Sequence, residues 1–161
     1  MKCAVLCNGP SRIDYQLSLE YNYVIGCNIP WTAVDATVIL DVNVLEQWKS
    51  PCKFYSSVAA WRELHDRKRF TEYFLGFVNT ITDYDSAGHA ACRKVLEMDP
   101  DVIDIYGCDS WFVNDTNSYT HQYVDSRSSD MTKNVSVWRS RWYDLMDSNK
   151  NVEFNFIRHS K

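Results

Sequence analysis

The sequence has few glycines and prolines, no long apolar run and no leader-like beginning. Five Gly and four Pro stand among 161 residues, of which 45% are hydrophobic and 14% aromatic, and this composition argues against disorder. No stretch approaches the ~20 apolar residues that a membrane span requires. The apolar run after Lys2 is short and meets Asn8-Gly9-Pro10 at once, unlike a signal peptide. We therefore expect one globular domain over residues 1–161 that is cytoplasmic and has no membrane partner.

Signatures of metal, disulfide, cofactor and nucleic-acid binding are also missing. The cysteines form no CxxC pair and most lie in apolar, strand-like runs, so we expect buried free thiols and no metal site. The net charge of −4 argues against duplex nucleic acid as a partner but leaves room for a local pocket for one small anion. The chain has neither G-x-G-x-x-G nor a P-loop, and we expect no cofactor. The six cysteines are Cys3, Cys7, Cys27, Cys52, Cys92 and Cys108.

Strand-like and helix-like segments alternate along the chain. Short, nearly continuous apolar runs that alternate with helical patterns are typical of a parallel sheet covered on both faces. We predict a Rossmann-like α/β fold with a mostly parallel sheet of about six strands flanked by helices, and a long lid-like loop near 108–132. The expected strands are 2–7, 23–27, 36–40, 52–56, 102–107 and 152–157, and the expected helices are 12–21, 41–48, 58–77, 86–98 and 135–146.

The turn Asn8-Gly9-Pro10-Ser11 separates the first predicted strand from the first predicted helix. Gly9 permits a close backbone approach, Pro10 has a fixed φ near the helix start, and Ser11 offers a hydroxyl beside free helix amides. These groups suit a phosphate, which N–H groups and the positive helix end would hold. The same residues also make an ordinary turn, and both interpretations stay open.

Small and polar residues recur at the ends of the later strands. In open α/β sheets ligands bind outside the carboxyl ends of the strands, where the loops converge. Caps and turns would explain any one of these positions, but the set favours a ligand crevice. Its members are Gly26-Cys27-Asn28 after the second strand, Asp41-Val42-Asn43 after the third, Ser86-Ala87-Gly88-His89 at a helix start, and Gly107-Cys108-Asp109-Ser110 after the fifth.

Four short motifs carry a family resemblance, namely CNGPS at 7–11, GCN at 26–28, SAGHAA at 86–91 and IYGCDSW at 105–111. In the order of these motifs, the chain resembles the nucleotide-binding half of bacterial lipooligosaccharide sialyltransferases and the related 6-hydroxymethylpterin pyrophosphokinase-like family. The similarity spans most of the chain and implies a Rossmann-type fold. It also implies ligand contacts from Asn8, Gly9, Ser11, Asn28, Asn43, Ser86, Gly88, Gly107 and Asp109.

The chain departs from that family where catalysis would occur. The sialyltransferases carry a catalytic His after the last motif, whereas the corresponding stretch SRSSDMTKN, 126–134, contains none. The candidate bases are instead His121 in the long loop and His89 in the first turn of a helix, where simple packing is the alternative. Trp111 is a candidate to stack on a nucleobase, and packing of the loop onto the domain is its alternative.

The predicted function is therefore binding of a nucleotide or nucleotide-derived small molecule at the strand ends, without catalysis. A phage-encoded anti-defence protein that sequesters a nucleotide signal is one form of this function. The alternative is a nucleotide-dependent transferase of the sialyltransferase-like or pyrophosphokinase-like kind, and a third is a structural or interaction protein. The base and the sugar of the ligand stay open, and so does homo-oligomerisation.

Overall fold

The computed structural model describes residues 1–16, 20–41, 44, 53–65, 73–78, 86–112 and 135–158. The strands are β1 (Lys2–Leu6), β2 (Tyr23–Cys27), β3 (Ala36–Val38), β4 (Phe54–Ser56), β5 (Phe74–Phe77), β6 (Val102–Tyr106) and β7 (Glu153–Ile157). The α-helices are α1 (Val58–His65), α2 (Ala87–Leu96) and α3 (Val135–Ser148), and the 3₁₀ helices are Pro10–Asp14 and Asp109–Trp111. Within these ranges no helix combines the length and the apolar character needed to cross a bilayer.

The seven described strands form one parallel sheet in the order β5-β4-β3-β2-β1-β6-β7. β1 lies in the interior of the sheet, where Leu6 stands opposite Gly26 on β2 and opposite Tyr106 on β6. Helices and loops cover the sheet, so the Rossmann-like α/β prediction is confirmed at the level of architecture. The sheet has one strand more than the expected six.

The additional strand is β5, which lies inside the segment predicted as a helix over 58–77. α1 forms the beginning of that segment, but Gly76 has φ +151°, a backbone angle foreign to any α-helix. The apolar spacing was misleading because Trp61 of α1 stacks on Phe74 of β5, with ring centroids 3.9 Å apart. One aromatic cluster therefore contains residues from a helix and from a strand. The spacing of these residues in the sequence resembled that of a single long helix.

The helix predicted over 12–21 is also wrong, because the described part of this segment forms only the 3₁₀ helix Pro10–Asp14 and the backbone is extended at Tyr15. In a helix with three residues per turn, Arg12 and Tyr15 share one face, and both side chains are buried. Ile13, which the α-helical pattern placed inward, is 62% exposed. Tyr15 packs edge-on against Trp31 and Tyr106, and this contact holds the chain against the sheet.

The two faces of the sheet bury different kinds of residue. Under α2 and α3 lies the larger apolar core, with Val5, Ile25, Ile105 and Trp142 among its members. On the opposite face α1 covers the β3–β5 end, while aromatic side chains from the loops cover β1, β2 and β6. Strand alternation produces this division, because neighbouring residues of a strand point to opposite faces.

The predicted helices 86–98 and 135–146 are confirmed as α2 and α3, with Ser86 as the N-cap of α2. The start of the predicted lid-like loop is ordered as the 3₁₀ helix Asp109–Trp111. Residues 113–134, which make up the rest of that loop and include His121, lie outside the described residues, as do Asn43 and most of the predicted helix 41–48.

Candidate functional site

The sheet order places a topological switch point between β1 and β6. From β1 the chain builds β2 to β5 on one side, and β6 and β7 are added on the other side. In open α/β sheets ligands bind in the crevice outside the carboxyl ends of the strands at such a point. The predicted site residues that follow β1, β2 and β6 accordingly gather at this edge. They are Asn8, Gly9, Pro10, Ser11, Asn28, Gly107 and Asp109.

The turn after β1 and the loop after β6 are in direct backbone contact. The Cys7 N–H donates to the Tyr106 carbonyl and the Gly9 N–H donates to the Gly107 carbonyl, each at 2.7 Å. A Cβ at Gly9 would overlap both the Gly107 carbonyl oxygen and a carboxylate oxygen of Asp109. Glycine is therefore required at position 9 by the protein's own packing.

The anion position of this turn is filled by the protein itself. The Ser11 N–H donates to Asp109 Oδ2 at 3.0 Å, and Ser11 Oγ accepts the Gly107 N–H at 3.1 Å. A carboxylate thus occupies the Ser11 amide that a phosphate would use, and the phosphate site expected at Asn8–Ser11 stays a prediction. The helix that begins at Pro10 is also a single short 3₁₀ segment, so its dipole is weak.

Two buried carboxamides lie beside this closed turn. Extending the β1–β2 register by two residues places Asn8 opposite Asn28, just beyond the carboxyl ends of both strands. The side chains are buried, with Asn8 8% and Asn28 4% exposed. Within the described ranges, neither side-chain amide makes a hydrogen bond. Neither amide is among the fully buried polar atoms that lack a hydrogen-bond partner, so both carboxamides keep some contact with solvent.

The backbone around Asn28 is fixed even though its side chain is not paired. Asn28 has φ +58°, its N–H donates to the Val38 carbonyl at 2.8 Å, and its carbonyl accepts the Thr37 hydroxyl at 2.7 Å. Asn tolerates this left-handed conformation better than most residues. Two hydrogen bonds thus hold in place the backbone that carries the carboxamide.

His89 connects two helices and does not face the crevice. Its Nε2 donates to the Trp138 carbonyl at 2.9 Å, so the neutral ring accepts at Nδ1, where the Ser86 N–H donates at 3.2 Å. The ring is fully buried and packs against Trp142, with centroids 4.4 Å apart. The structure therefore gives Ser86 and His89 the role of a capping box that ties α2 to α3, and not that of ligand contact and base.

Gly88 and Trp111 also have packing roles. A Cβ at Gly88 would lie 2.8 Å from Cys7 Sγ, so the missing side chain lets α2 approach the end of β1. Trp111 stacks on Phe156 of β7, with centroids 4.2 Å apart and the rings 11° from parallel. This contact covers one face of the indole ring, as the alternative of loop packing predicts.

The cysteines near the switch point are buried free thiols, as expected for the five that are described. The thiol of Cys7 lies within hydrogen-bonding reach of Cys108 and Cys27. The hydrogen bond with Cys7 and burial raise the pKa of Cys108, and burial raises the pKa of Cys92 to about 12. Protonated thiols are poor nucleophiles and poor metal ligands. No set of His, Cys, Asp or Glu in the described part of the chain is placed to hold a metal ion.

A polar cluster on the opposite face of the sheet was missed at the level of sequence. Asp104 lies in the middle of β6 and accepts the Tyr21 hydroxyl at 2.6 Å, the Lys2 ammonium at 3.0 Å and the Asn155 amide at 3.0 Å. Burial alone would raise the pKa of Asp104, but the hydrogen bonds from Tyr21, Asn155 and Lys2 outweigh it and lower the pKa. The sequence feature that could have indicated this cluster is the carboxylate inside the otherwise apolar strand VIDIY.

Comparisons with known proteins add no relative to this description. No family model, no curated protein and no solved structure matches the chain.

Proposed function

We propose that this protein binds a nucleotide-derived small molecule at the carboxyl edge of its sheet, over the ends of β1, β2 and β6, without transforming it. The observation that carries the proposal is the pair of carboxamides of Asn8 and Asn28 on neighbouring strands, two largely buried side chains that make no hydrogen bond within the described ranges. A hydrogen bond that replaces contact with water contributes about 0.5–1.5 kcal/mol net, so a ligand that pairs with both carboxamides would gain free energy at each position.

The chemistry of a carboxamide favours a heterocyclic ligand. An Asn side chain offers one acceptor and one donor in a plane, and this pair matches the donor and acceptor edge of a nucleobase. The location supports the same class, because the switch point of a doubly wound sheet is where nucleotides bind in general. Both arguments concern the edge formed by β1 and β2 and need no helix N-terminus.

Binding without chemistry is favoured by the state of the side chains around the edge. His89 uses both ring nitrogens to join α2 and α3, and the pKa values of Cys7 and Cys108 are raised. The transferase alternative depends on the resemblance and on His121, which lies outside the described residues. A protein that binds and keeps its ligand intact would suit sequestration of a nucleotide signal.

The test is a thermal-shift and calorimetric screen of nucleosides, nucleotides, cyclic nucleotides and sugar nucleotides. A ligand that binds the folded state raises the Tm by mass action. We expect Asn8→Ala and Asn28→Gly each to weaken binding about tenfold or more, since a bidentate base contact is worth about 1–3 kcal/mol. Glycine is chosen at position 28 because it accepts the positive φ.

Asn151→Ala is the matched control, because Asn151 is exposed in the turn that precedes β7, at the opposite edge of the sheet. It should bind as the unchanged protein does. Recovery of the intact ligand after denaturation supports binding alone, and recovery of a product supports the transferase. The proposal fails if no compound of the panel raises the Tm, or if the two site variants bind as well as the control.

A further inference from the structure

We propose that Cys7 and Cys108 are a site of oxidative modification, where a peroxide joins the two thiols in a disulfide between the turn after β1 and the loop after β6. This inference is independent of the proposed function, because it concerns thiols that face the larger core and needs no bound ligand. It follows from the way in which the thiols of Cys7, Cys27 and Cys108 gather at the carboxyl ends of β1, β2 and β6.

These three thiols lie on neighbouring strands. Extending the β1–β2 register by one residue places Cys7 opposite Cys27, and Cys108 follows β6 on the other side of β1. All three side chains belong to the larger core under α2, where a Cβ at Gly88 would lie 2.8 Å from Cys7 Sγ. The Cys7 thiol is within hydrogen-bonding reach of both other thiols, and all three are free. Cys7 therefore has two neighbours to which a disulfide could join it.

The backbone holds Cys7 close to Cys108. The Cys7 N–H donates to the Tyr106 carbonyl at 2.7 Å, and a Cβ at Gly107 would lie 2.5 Å from the Cys7 carbonyl oxygen. The extended register places Gly107 opposite Cys7, so Cys108 is offset by one residue. A spacing of about 4.8 Å between strands and about 3.3 Å along a strand puts the two Cα atoms about 5.8 Å apart. Disulfides most often join Cα atoms about 5.5–6 Å apart, so this backbone suits the bond.

Cys27 is a less suitable partner for Cys7. It is the last residue of β2 and stands directly opposite Cys7, so the two side chains leave the sheet side by side. Their Cβ atoms then keep about the 4.8 Å spacing of the strands, whereas a disulfide needs about 3.5–4.5 Å. Cys108 lies beyond the end of β6, and Gly107 before it has φ +73°, so strand alternation does not fix the direction of its side chain. The geometry therefore favours Cys108.

Oxidation by a peroxide balances without a further reactant. One thiolate attacks a peroxide oxygen, the O–O bond breaks, and a sulfenic acid and a hydroxide form. The second thiolate attacks the sulfenic sulfur, the S–S bond forms, and the sulfenic oxygen leaves as hydroxide. With hydrogen peroxide the two thiols lose two electrons and two protons, and two water molecules are released. The reaction should be slow, because the hydrogen bond with Cys7 and burial raise the pKa of Cys108 and make its thiolate scarce.

The test treats the folded full chain with excess hydrogen peroxide, blocks the remaining thiols and maps disulfides by mass spectrometry after digestion. We expect a disulfide between Cys7 and Cys108 that dithiothreitol reverses. The oxidised protein should have a Tm about 5 °C or more higher than the reduced protein, since a disulfide restricts the unfolded chain. The tryptic peptide 3–12 contains both Cys3 and Cys7, so the map is repeated in Cys3→Ala, which should form the same bond.

Cys108→Ala removes one partner and should abolish both the bond and the rise in Tm. Cys3→Ala, at a fully buried position of the same core, is the matched control and should keep both. A disulfide between Cys7 and Cys27, thiols that stay free, or thiols oxidised to sulfinic acid without a crosslink would overturn the inference. A Cys7–Cys108 bond that forms only in urea, or that fails to raise the Tm, would also overturn it. The map of the unchanged protein decides the matter even if a variant does not fold.

Discussion

Two regions of the same sheet bury polar side chains in opposite ways. The carboxylate of Asp104, inside β6, accepts hydrogen bonds from Tyr21, Lys2 and Asn155. Asn8 and Asn28, at the carboxyl ends of β1 and β2, are equally buried but make no side-chain hydrogen bond within the described ranges. A satisfied network stabilises the fold, whereas side chains that make no hydrogen bond contribute little to its stability. The comparison therefore separates a structural cluster from the binding site that we propose.

The largest effect should come from breaking the satisfied network. Asp104→Ala removes the common acceptor and leaves the Tyr21 hydroxyl and the Asn155 amide without it, so we expect the free energy of unfolding to fall by about 3 kcal/mol. Urea unfolding measures the change. Asp147→Ala, at an exposed position of α3, is the control and should change stability by less than about 0.5 kcal/mol. A loss below about 1 kcal/mol for Asp104→Ala would show that the network contributes little.

A somewhat smaller loss of stability should follow when the turn after β1 and the loop after β6 are forced apart. Gly9→Ala places a methyl group against the Gly107 carbonyl and the Asp109 carboxylate, and we expect a loss of about 2 kcal/mol. Gly26→Ala is the matched control on β2, where a Cβ would be 3.4 Å from its nearest neighbours. Equal stability of the two variants, measured by urea unfolding, would contradict the closed turn described here.

The pH dependence of stability should come next in size. The pKa of Asp104 is lowered in the folded state, so its contribution is present above the unfolded pKa, about 3.9, and is lost as the pH falls through the folded pKa. We expect the urea midpoint of the unchanged protein to fall more steeply below about pH 4 than that of Asp104→Asn, which has no carboxylate there. Parallel profiles would assign the acid sensitivity to other groups.

The smallest effect on stability should come from the unsatisfied region. Asn8→Ala removes a side chain that makes no hydrogen bond within the described ranges, so we expect a change of less than about 0.5 kcal/mol. The same variant should weaken ligand binding, as set out above. A large loss of stability without ligand would mean that Asn8 supports the fold and would remove the contrast with Asp104.

The architecture could be predicted from the sequence because the strands of a parallel sheet are short apolar runs and are recognised locally. β6 and β7 follow this rule. The start of α2 was also predicted, because Ser86 is a residue type that is favoured at helix N-caps. The 3₁₀ helix Pro10–Asp14 and β5 could not be predicted, because the packing of Tyr15 on the sheet and of Phe74 on Trp61 decides both. These contacts join residues from different elements, and no local pattern contains them.

The candidate site, like the fold, could be predicted from the sequence only in part. The polar residues after β1 and β2 were visible in the sequence because Asn8 and Asn28 end apolar runs. The occupation of the Ser11 amide by Asp109 was not visible, since it depends on the register that places Gly9 opposite Asp109. A turn that is well suited to an anion was thus completed by a carboxylate from a distant part of the chain.

The place of β1 in the interior of the sheet also governs how the protein folds. β1 can pair with β2, the next strand along the chain. Its other edge stays unpaired until β6 is in place, because Leu6 of β1 lies opposite Tyr106 of β6. Contacts between residues so far apart in sequence form slowly, since a long loop has to close before they stabilise the chain. A partly folded chain that holds only β1 to β5 would lack Asp109 altogether, so the Ser11 amide gains its carboxylate partner only once the crossover through α2 has placed β6 beside β1.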